Sequence, residues 1–506
     1  MKVYIAPTPL VKILIVTPEG APFAKVGGLA DVTGALPKAL AALGHDVKVV
    51  CPLYGSIRRD SQWHPQGKPL SVQMGTGVRY ARVWERVLPG SEVSGYFIEY
   101  DEFFSRPEIY EGPWGWHSDN DRRFGFFSRA ALDLCFWMDW MPDVVHVHDW
   151  PTGLVPVMLN TVYAGTPLGR AASILTIHNI QHQGYCDHSI IGFLGLPEWL
   201  FRADHIEAMG AVSMLKGGIF HSTKITTVSP TYAEEIQGPI GGQGLNSILS
   251  FRAADLVGVL NGIDTSVWNP RTDKALPAPF WHGALAPKEL SKNAGCEKFG
   301  LNYRPETPVY GVVSRLFGQK GLDILRGIVP RLMQETDAQF VVLGMGESDL
   351  EYAFSDFHGR YGGRFATWIG FDDARARLIY GGADFFLMPS RFEPCGLGQM
   401  YAMAYGTIPV VRKTGGLADT VRPYNEADAS GTGFLFDEAS GEALFGAILH
   451  SLKVYHEKPG HIRLLREHGM RQDFTWDTSA AAYTNVYRWA IETRQGIVSN
   501  TPLPAK

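Results

Sequence analysis

The sequence predicts an α/β protein built from two Rossmann-like domains that face each other across a cleft. Three observations carry that prediction. Short apolar runs of strand length alternate with longer helical runs, which argues for parallel sheets. This alternation stops in a proline-rich stretch, 269–287, and restarts beyond it. Finally, the turn Lys25-Val-Gly-Gly-Leu-Ala-Asp31 returns as Lys413-Thr-Gly-Gly-Leu-Ala-Asp419, unchanged at six of seven positions and present once in each half. Ligands of open α/β sheets collect beyond the carboxyl ends of the strands, so two such turns would frame one interdomain cleft.

In the first half, 11–17 reads as a buried strand, 29–43 as an apolar helix stopped by Gly44, and 46–51 as the next strand. Pro37 interrupts the helix and reads either as a kink or as the first residue of a second helical piece. Further strands are expected at 144–148, 173–178 and 224–228. After Leu260-Asn-Gly-Ile-Asp264 a second set follows at 309–314, 339–343, 365–369, 385–388 and 408–411. The simplest division is an N-terminal domain over 1–262 and a C-terminal domain over 263–475. Residues 476–506 are expected as a helix, near 477–494, that crosses back to the N-terminal domain, and a tail; periodicity alone leaves its partner open.

With 45% hydrophobic and 19% charged residues the chain is globular rather than disordered. A net charge of -5 provides no global attraction to nucleic acid or an anionic membrane, so any anion site must be made locally. Five cysteines lie scattered without a C-x-x-C pair, which points to a reducing compartment. The start of the chain has one short apolar run, Ile13 to Val16, interrupted upstream by Lys12, Pro9 and Pro7, so neither a secretory core nor a membrane span is expected. The expected location is cytoplasmic, or plastid for a processed plant form.

Gly27 and Gly28 lack a β-carbon, so their N–H groups can approach a ligand where a helix begins, and Lys25 adds a charge. A tight turn with a solvated lysine is the alternative. Arg315 and Lys320 follow a strand and precede a helix, a placement that suits a phosphate leaving group or, alternatively, a solvated basic turn. His146 and His148 share one face of a strand, as a metal pair or as core histidines, while Asp149 at the strand's carboxyl end suits sugar hydroxyls. His178-Asn179 ends another strand in the same manner. Glu393 follows a very apolar strand, so a ligand hydroxyl or a basic neighbour must satisfy its carboxylate. Cys395 has no mark of a nucleophile. The aromatic run from Tyr100 to Trp140 divides between helix core and sugar-stacking surface.

Taken together, these motifs resemble the bacterial glycogen synthase and plant starch synthase family, of glycosyltransferase-B architecture. Lys25-Val-Gly-Gly-Leu, His146-Val-His-Asp-Trp150, Thr227-Val-Ser-Pro-Thr-Tyr232, Ser314-Arg-Leu, Gln319-Lys-Gly, Ser390-Arg-Phe-Glu-Pro-Cys-Gly-Leu397 and Arg412-Lys-Thr-Gly-Gly-Leu417 recur in order. The resemblance implies transfer of glucose from ADP-glucose to the non-reducing end of an α-1,4-glucan with retention, and it implies no metal and no separate cofactor. It assigns Lys25, Gly27 and Gly28 to donor phosphate and glucose, Arg315 and Lys320 to the diphosphate, Phe371 to the nucleobase, and Asp149, His178 and Glu393 to the glucose. Asp31, Asn179, Cys395, Gly396, Leu397, Gly415 and Gly416 accompany them as substrate-binding positions. No protein nucleophile is implied; the departing phosphate assists the acceptor hydroxyl. Departures from the family pattern are Pro151 for histidine, Gln181-His182 for Ala-Tyr, and Phe371 for a frequent tyrosine. Tyr401 stands where broader retaining families place a second glutamate.

Overall fold

The structure, a computed structural model, describes residues 10–112 and 115–497. The expectations for Met1 to Pro9, for the tail beyond Ile497 and for residues 113–114 of the aromatic run lie outside the described residues. Two compact units are present. Of the described residues, one unit contains those from 10 to 228, 233–262 and 476–497; the other contains residues 229–232 and 263–475.

The sheet of the first unit runs in the order Leu256–Gly258, Lys224–Thr227, Ala172–Ile177, Val144–His148, Lys12–Val16, Asp46–Pro52, Ser94–Glu99, and these seven strands are parallel. Strands such as Ala172–Ile177 are buried throughout, which is why they read as unbroken apolar runs. An antiparallel extension is added by Gly77–Val87, with Leu70–Met74 and His64–Pro65 paired to it. The chain fills one side of Lys12–Val16 first and then returns to the other. The order therefore reverses between Lys12–Val16 and Val144–His148, and Glu19 and Asp149 lie just past the carboxyl ends of these two strands.

The helix Gly28–Ala42 is one element with Pro37 inside it, so the reading of Pro37 as the start of a second piece is corrected. Val32, Leu36, Ala39 and Leu40 are packed into the core, and that burial outweighs the roughly 3 kcal/mol cost of an interior proline. The last helix, Trp476–Arg494, belongs to this unit. Its Tyr483 and Tyr487 are fully buried, Ser479 donates to the Leu260 carbonyl at 2.6 Å, and the Lys224 ammonium lies 3.8 Å from the Trp489 ring.

The second unit has six parallel strands in the order Phe365–Ile369, Gln339–Gly344, Val309–Val313, Phe385–Met388, Ile408–Arg412, Phe434–Phe436. Tyr310 stacks between Phe340 and Phe385 at centroid distances of 5.1 and 4.8 Å, so the sheet centre is held by aromatic pairs across three adjacent strands. Here the order reverses between Val309–Val313 and Phe385–Met388. Arg315 and Ser390 are two residues beyond the ends of these strands, at the place where an open α/β sheet binds its ligand.

Candidate functional site

A cavity of about 210 Å³ opens at this reversal in the second unit, lined by Ser314, Arg315, Lys320, Ser390, Glu393 and Gly396 among others. Strand Val309–Val313 delivers Arg315, and a single 3-10 turn, Gly318–Lys320, delivers Lys320 before the helix Leu322–Glu335 begins. The Lys320 ammonium lies 2.8 and 2.7 Å from the two carboxylate oxygens of Glu393, and the Ser390 hydroxyl donates to the second of them at 2.9 Å. Of the two partners expected for the buried Glu393 carboxylate, a basic neighbour is thus the one present. Both of its oxygens are engaged, which makes it a poor attacking group and a good anchor for a cation. The Arg315 guanidinium is exposed, 5.4 Å from the Phe317 ring, and has no carboxylate partner among the described residues. Leu397 also lines the cavity, whereas Cys395 is buried behind it. Phe371 follows Gly370 at the end of Phe365–Ile369, is 84% exposed, and is not among the residues lining this cavity.

Gly415 and Gly416 lie against the backbone of Glu393 to Cys395. The Gly416 N–H donates to the carbonyls of Glu393 and Pro394, at 3.1 and 3.2 Å, so it is occupied within the protein. A β-carbon on Gly416 would lie 2.2 Å from the Cys395 carbonyl oxygen, and one on Gly415 (φ +43°) 2.0 Å from that of Glu393. The glycines are there because the Glu393–Cys395 backbone crosses directly over the start of their helix. Overpacking by Gly416→Ala should lower stability by ~1–3 kcal/mol. The measurement is the urea midpoint of the C-terminal transition, and an unchanged midpoint would disprove the packing role.

The two copies of the repeated turn also diverge at their aspartates. Lys25 and Asp31 form an ion pair with each other at 2.6 Å, whereas Asp419 accepts from the N–H and hydroxyl of Thr231, at 2.9 and 2.6 Å. Gly28 opens the helix, but the Gly27 N–H, expected to face a ligand, donates to Glu19 at 3.0 Å. Glu19 also takes the Val26 N–H at 2.7 Å and the Tyr110 hydroxyl at 2.7 Å. Burial pushes its carboxyl above the usual range, against these hydrogen bonds. Glu19 and Tyr110, which shape the Lys25 turn, were not singled out from the sequence.

Asp149 has φ +55° and ψ −171°, a backbone region almost reserved for glycine, and such strain gathers at functional sites. It is held by its Oδ1, which accepts the His178 N–H at 2.6 Å and the Asn179 N–H at 3.4 Å. Burial pushes its carboxyl up to about 7 despite these donors. His178 Nε2 lies 3.0 Å from His148 Nδ1, and burial lowers His178 to about 3, so it is neutral at pH 7. Of the two readings of His146, the core histidine is the one present. Both its ring nitrogens are taken, by Tyr487 Oη at 2.9 Å and Thr176 Oγ1 at 2.6 Å, and it is a core histidine joining the sheet to the last helix. Asn179 Oδ1 accepts from Gln181 N at 3.0 Å, shaping the turn that leads to Gln181-His182.

That turn borders a second cavity of the first unit, about 510 Å³, whose walls include Trp116, Trp150, His182 and Tyr185. Trp116 is 53% exposed and its ring centroid lies 6.1 Å from Trp150 and 5.7 Å from His182. The aromatic run therefore splits: Phe124, Phe126 and Phe127 are core, and Trp116 is open surface.

Compared with known proteins, the chain matches the model of the starch synthase catalytic domain over residues 12–251 and that of glycosyl transferases group 1 over 307–453. Glycogen synthase 1 of Geobacter sulfurreducens is 43% identical over 489 residues, covering 96% of this chain and 97% of the relative. Glycogen synthase of Thermotoga maritima is 43% identical over 486 residues, covering 95% and 99%. Among solved structures, the catalytic domain of starch synthase IV from Arabidopsis thaliana, bound to ADP and acarbose, has a TM-score of 0.88 and 34% identity, covering 96% of this chain and 100% of that one. Sucrose-phosphate synthase from Thermosynechococcus elongatus has a TM-score of 0.57 at 17% identity, covering 94% and 98%, a likeness of fold.

Proposed function

The chain belongs to the glycogen and starch synthase family, and from that membership we propose that it lengthens an α-1,4-glucan by transferring glucose from ADP-glucose to the non-reducing end with retention. The observation that carries the donor assignment is the cavity at the strand reversal of the second unit, where Arg315 and Lys320 stand beside a helix start and Glu393 fixes the lysine. With two of its three donor directions used by Glu393, Lys320 has one left for a phosphate oxygen. Arg315, exposed and without a carboxylate partner among the described residues, takes the same group. Charge that builds on the departing diphosphate meets preorganised cations. Asp149 and the neutral His178 take the hydroxyls of the glucosyl unit, and Lys25 with the turn that Glu19 holds takes donor oxygens. Phe371 serves the nucleobase. The aromatic walls around Trp116 suit the apolar faces of a glucan chain.

Among the described residues, no helix is long and apolar enough to cross a membrane. Unpaired buried thiols such as Cys51, Cys135 and Cys296 suit a reducing compartment, and we place the reaction in the cytoplasm. The test is incubation of the purified protein with labelled ADP-glucose or UDP-glucose and glycogen. Label should enter the polymer from ADP-glucose and be released by an enzyme specific for α-1,4 linkages. Preference for UDP-glucose would refute the donor assignment, and label left in free sugar would refute the transfer itself.

A further inference from the structure

Two neighbouring parallel strands of the first unit each deliver a histidine to the place where Asp149 lies. In the register of Val144–His148 with Ala172–Ile177, His148 stands opposite Thr176, and His178 follows that partner by two residues. Two residues is one strand period, so both side chains reach the same side of the sheet. The Asp149 carboxylate accepts the His178 N–H at 2.6 Å and ties the two strand ends together. The rings then meet edge to edge, with His148 Nδ1 3.0 Å from His178 Nε2 and centroids 5.2 Å apart.

Both rings are neutral at pH 7, because burial holds His148 well below the usual histidine range and His178 at about 3. A hydrogen bond between two neutral imidazoles contains one proton, so one ring donates and the other accepts. In the first arrangement His148 gives a proton on Nδ1 to His178 Nε2, and His178 carries its own proton on Nδ1. In the second, His178 Nε2 donates, and the proton of His148 sits on Nε2. The surroundings of His148 decide between them. Its side chain is fully buried, and its Nε2 has no hydrogen-bond partner among the described residues. The adjacent ring of His146, 4.3 Å away between centroids, has both nitrogens engaged by Tyr487 and Thr176 and offers no acceptor. The second arrangement would therefore bury an N–H with nothing to receive it, which folded proteins rarely do. The first leaves only a bare ring nitrogen there. It also turns the Nδ1–H of His178 outward, from a ring that is only partly buried.

We propose that His148 is a positioning residue that locks His178 in the Nδ1–H tautomer, so that His178 meets the glucosyl unit as a hydrogen-bond donor and offers it no lone pair. This role rests on the proposed contact of His178 with the glucosyl hydroxyls, at which Asp149 accepts and His178 donates. A ring whose bare nitrogen is turned to His148 cannot serve as a general base towards the sugar.

Nitrogen NMR of the full chain, labelled at its histidines, reads the tautomer directly, because protonated and bare ring nitrogens resonate far apart; His178→Ala assigns the signals. The ligand-free parent should show His178 protonated on Nδ1 and bare on Nε2. His148→Phe fills the same buried space without a donor. In it His178 should lose the fixed tautomer, and kcat/KM for ADP-glucose should fall about tenfold, the loss of one hydrogen bond to the sugar. His148→Asn places an amide donor near the position of Nδ1, so it should restore the Nδ1–H signature and most of the lost rate. A merely structural role would follow the urea midpoint and leave the tautomer unmoved. A parent with His178 protonated on Nε2 would overturn the proposal. So would an Nδ1–H signature that His148→Phe leaves intact, or a rate that His148→Asn restores with His178 protonated on Nε2. The tautomer is read without ligand, so its failure is distinct from failure of the glucosyl contact, which would show as parent-level turnover in His178→Ala.

Discussion

Lys320→Ala should lower kcat by a hundredfold or more and also cost stability. The catalytic part follows from removing a preorganised cation from the place where charge builds on the leaving phosphate; single donors of this kind contribute roughly 10²–10³ in rate. The stability part follows from the pair itself. The side chain of Glu393 is only 6% exposed and that of Lys320 19%, so the substitution leaves a buried carboxylate with Ser390 as its remaining side-chain partner. Breaking a buried pair from one side costs ~3–5 kcal/mol, less whatever the Ser390 hydrogen bond and entering water recover. The two effects separate experimentally. The double variant Lys320→Ala with Glu393→Gln removes the stranded charge and should regain most of the urea midpoint while kcat stays low. Lys320→Arg keeps the charge and should recover part of the turnover. Turnover near the parent level in Lys320→Ala would remove this lysine from the donor site.

The stretches that read as strands in the sequence are those buried on both faces, such as Ala172–Ile177 and Phe385–Met388, because burial on both sides writes an unbroken apolar run. The extension Leu70–Met74 and Gly77–Val87 escaped notice. Its residues alternate between buried and exposed, and its pairing depends on Ser94–Glu99, itself unread. The site divides along the same line. Arg315, Lys320 and Glu393 were legible because each lies in the loop between a strand and the following helix, yet the pairing of Lys320 with Glu393, 73 residues apart, is set by the strand order and not by either local sequence. His146 shows the converse. Its place on the strand left a metal pair and a core histidine both open, and only the return of the last helix, 341 residues later, brings Tyr487 to its ring. The tight approach of the Cys395 backbone to Gly416 is set by the tertiary fold and has no local signature. Glu19 has no local signature, since its partners Val26, Gly27 and Tyr110 are defined by a turn and a distant loop.

Asp149→Asn should exchange activity for stability, and the pH dependence of both should reveal it. Burial raises the Asp149 carboxyl to about 7, so the native chain retains a proton that the unfolded chain gives up in the usual carboxylate range. Between that range and pH 7 the folded state binds more protons than the unfolded one. The contribution of this group to stability is therefore fully present at acidic pH and is lost as pH rises through about 7. Asparagine retains the oxygen that accepts from His178 N and Asn179 N, tolerates positive φ better than most residues, and carries no charge to desolvate. At pH 8 the variant should unfold at a higher urea concentration than the parent, and the difference should shrink as pH falls below 7. Activity should move the other way. The carboxylate is the stronger acceptor for a glucosyl hydroxyl, so kcat/KM of the parent should rise with pH through an apparent pKa near 7, and Asp149→Asn should lose that limb together with about a hundredfold in rate. If the variant keeps the acidic limb, the titrating group is elsewhere. If it loses stability at pH 8, the carboxylate is serving the fold and not the sugar.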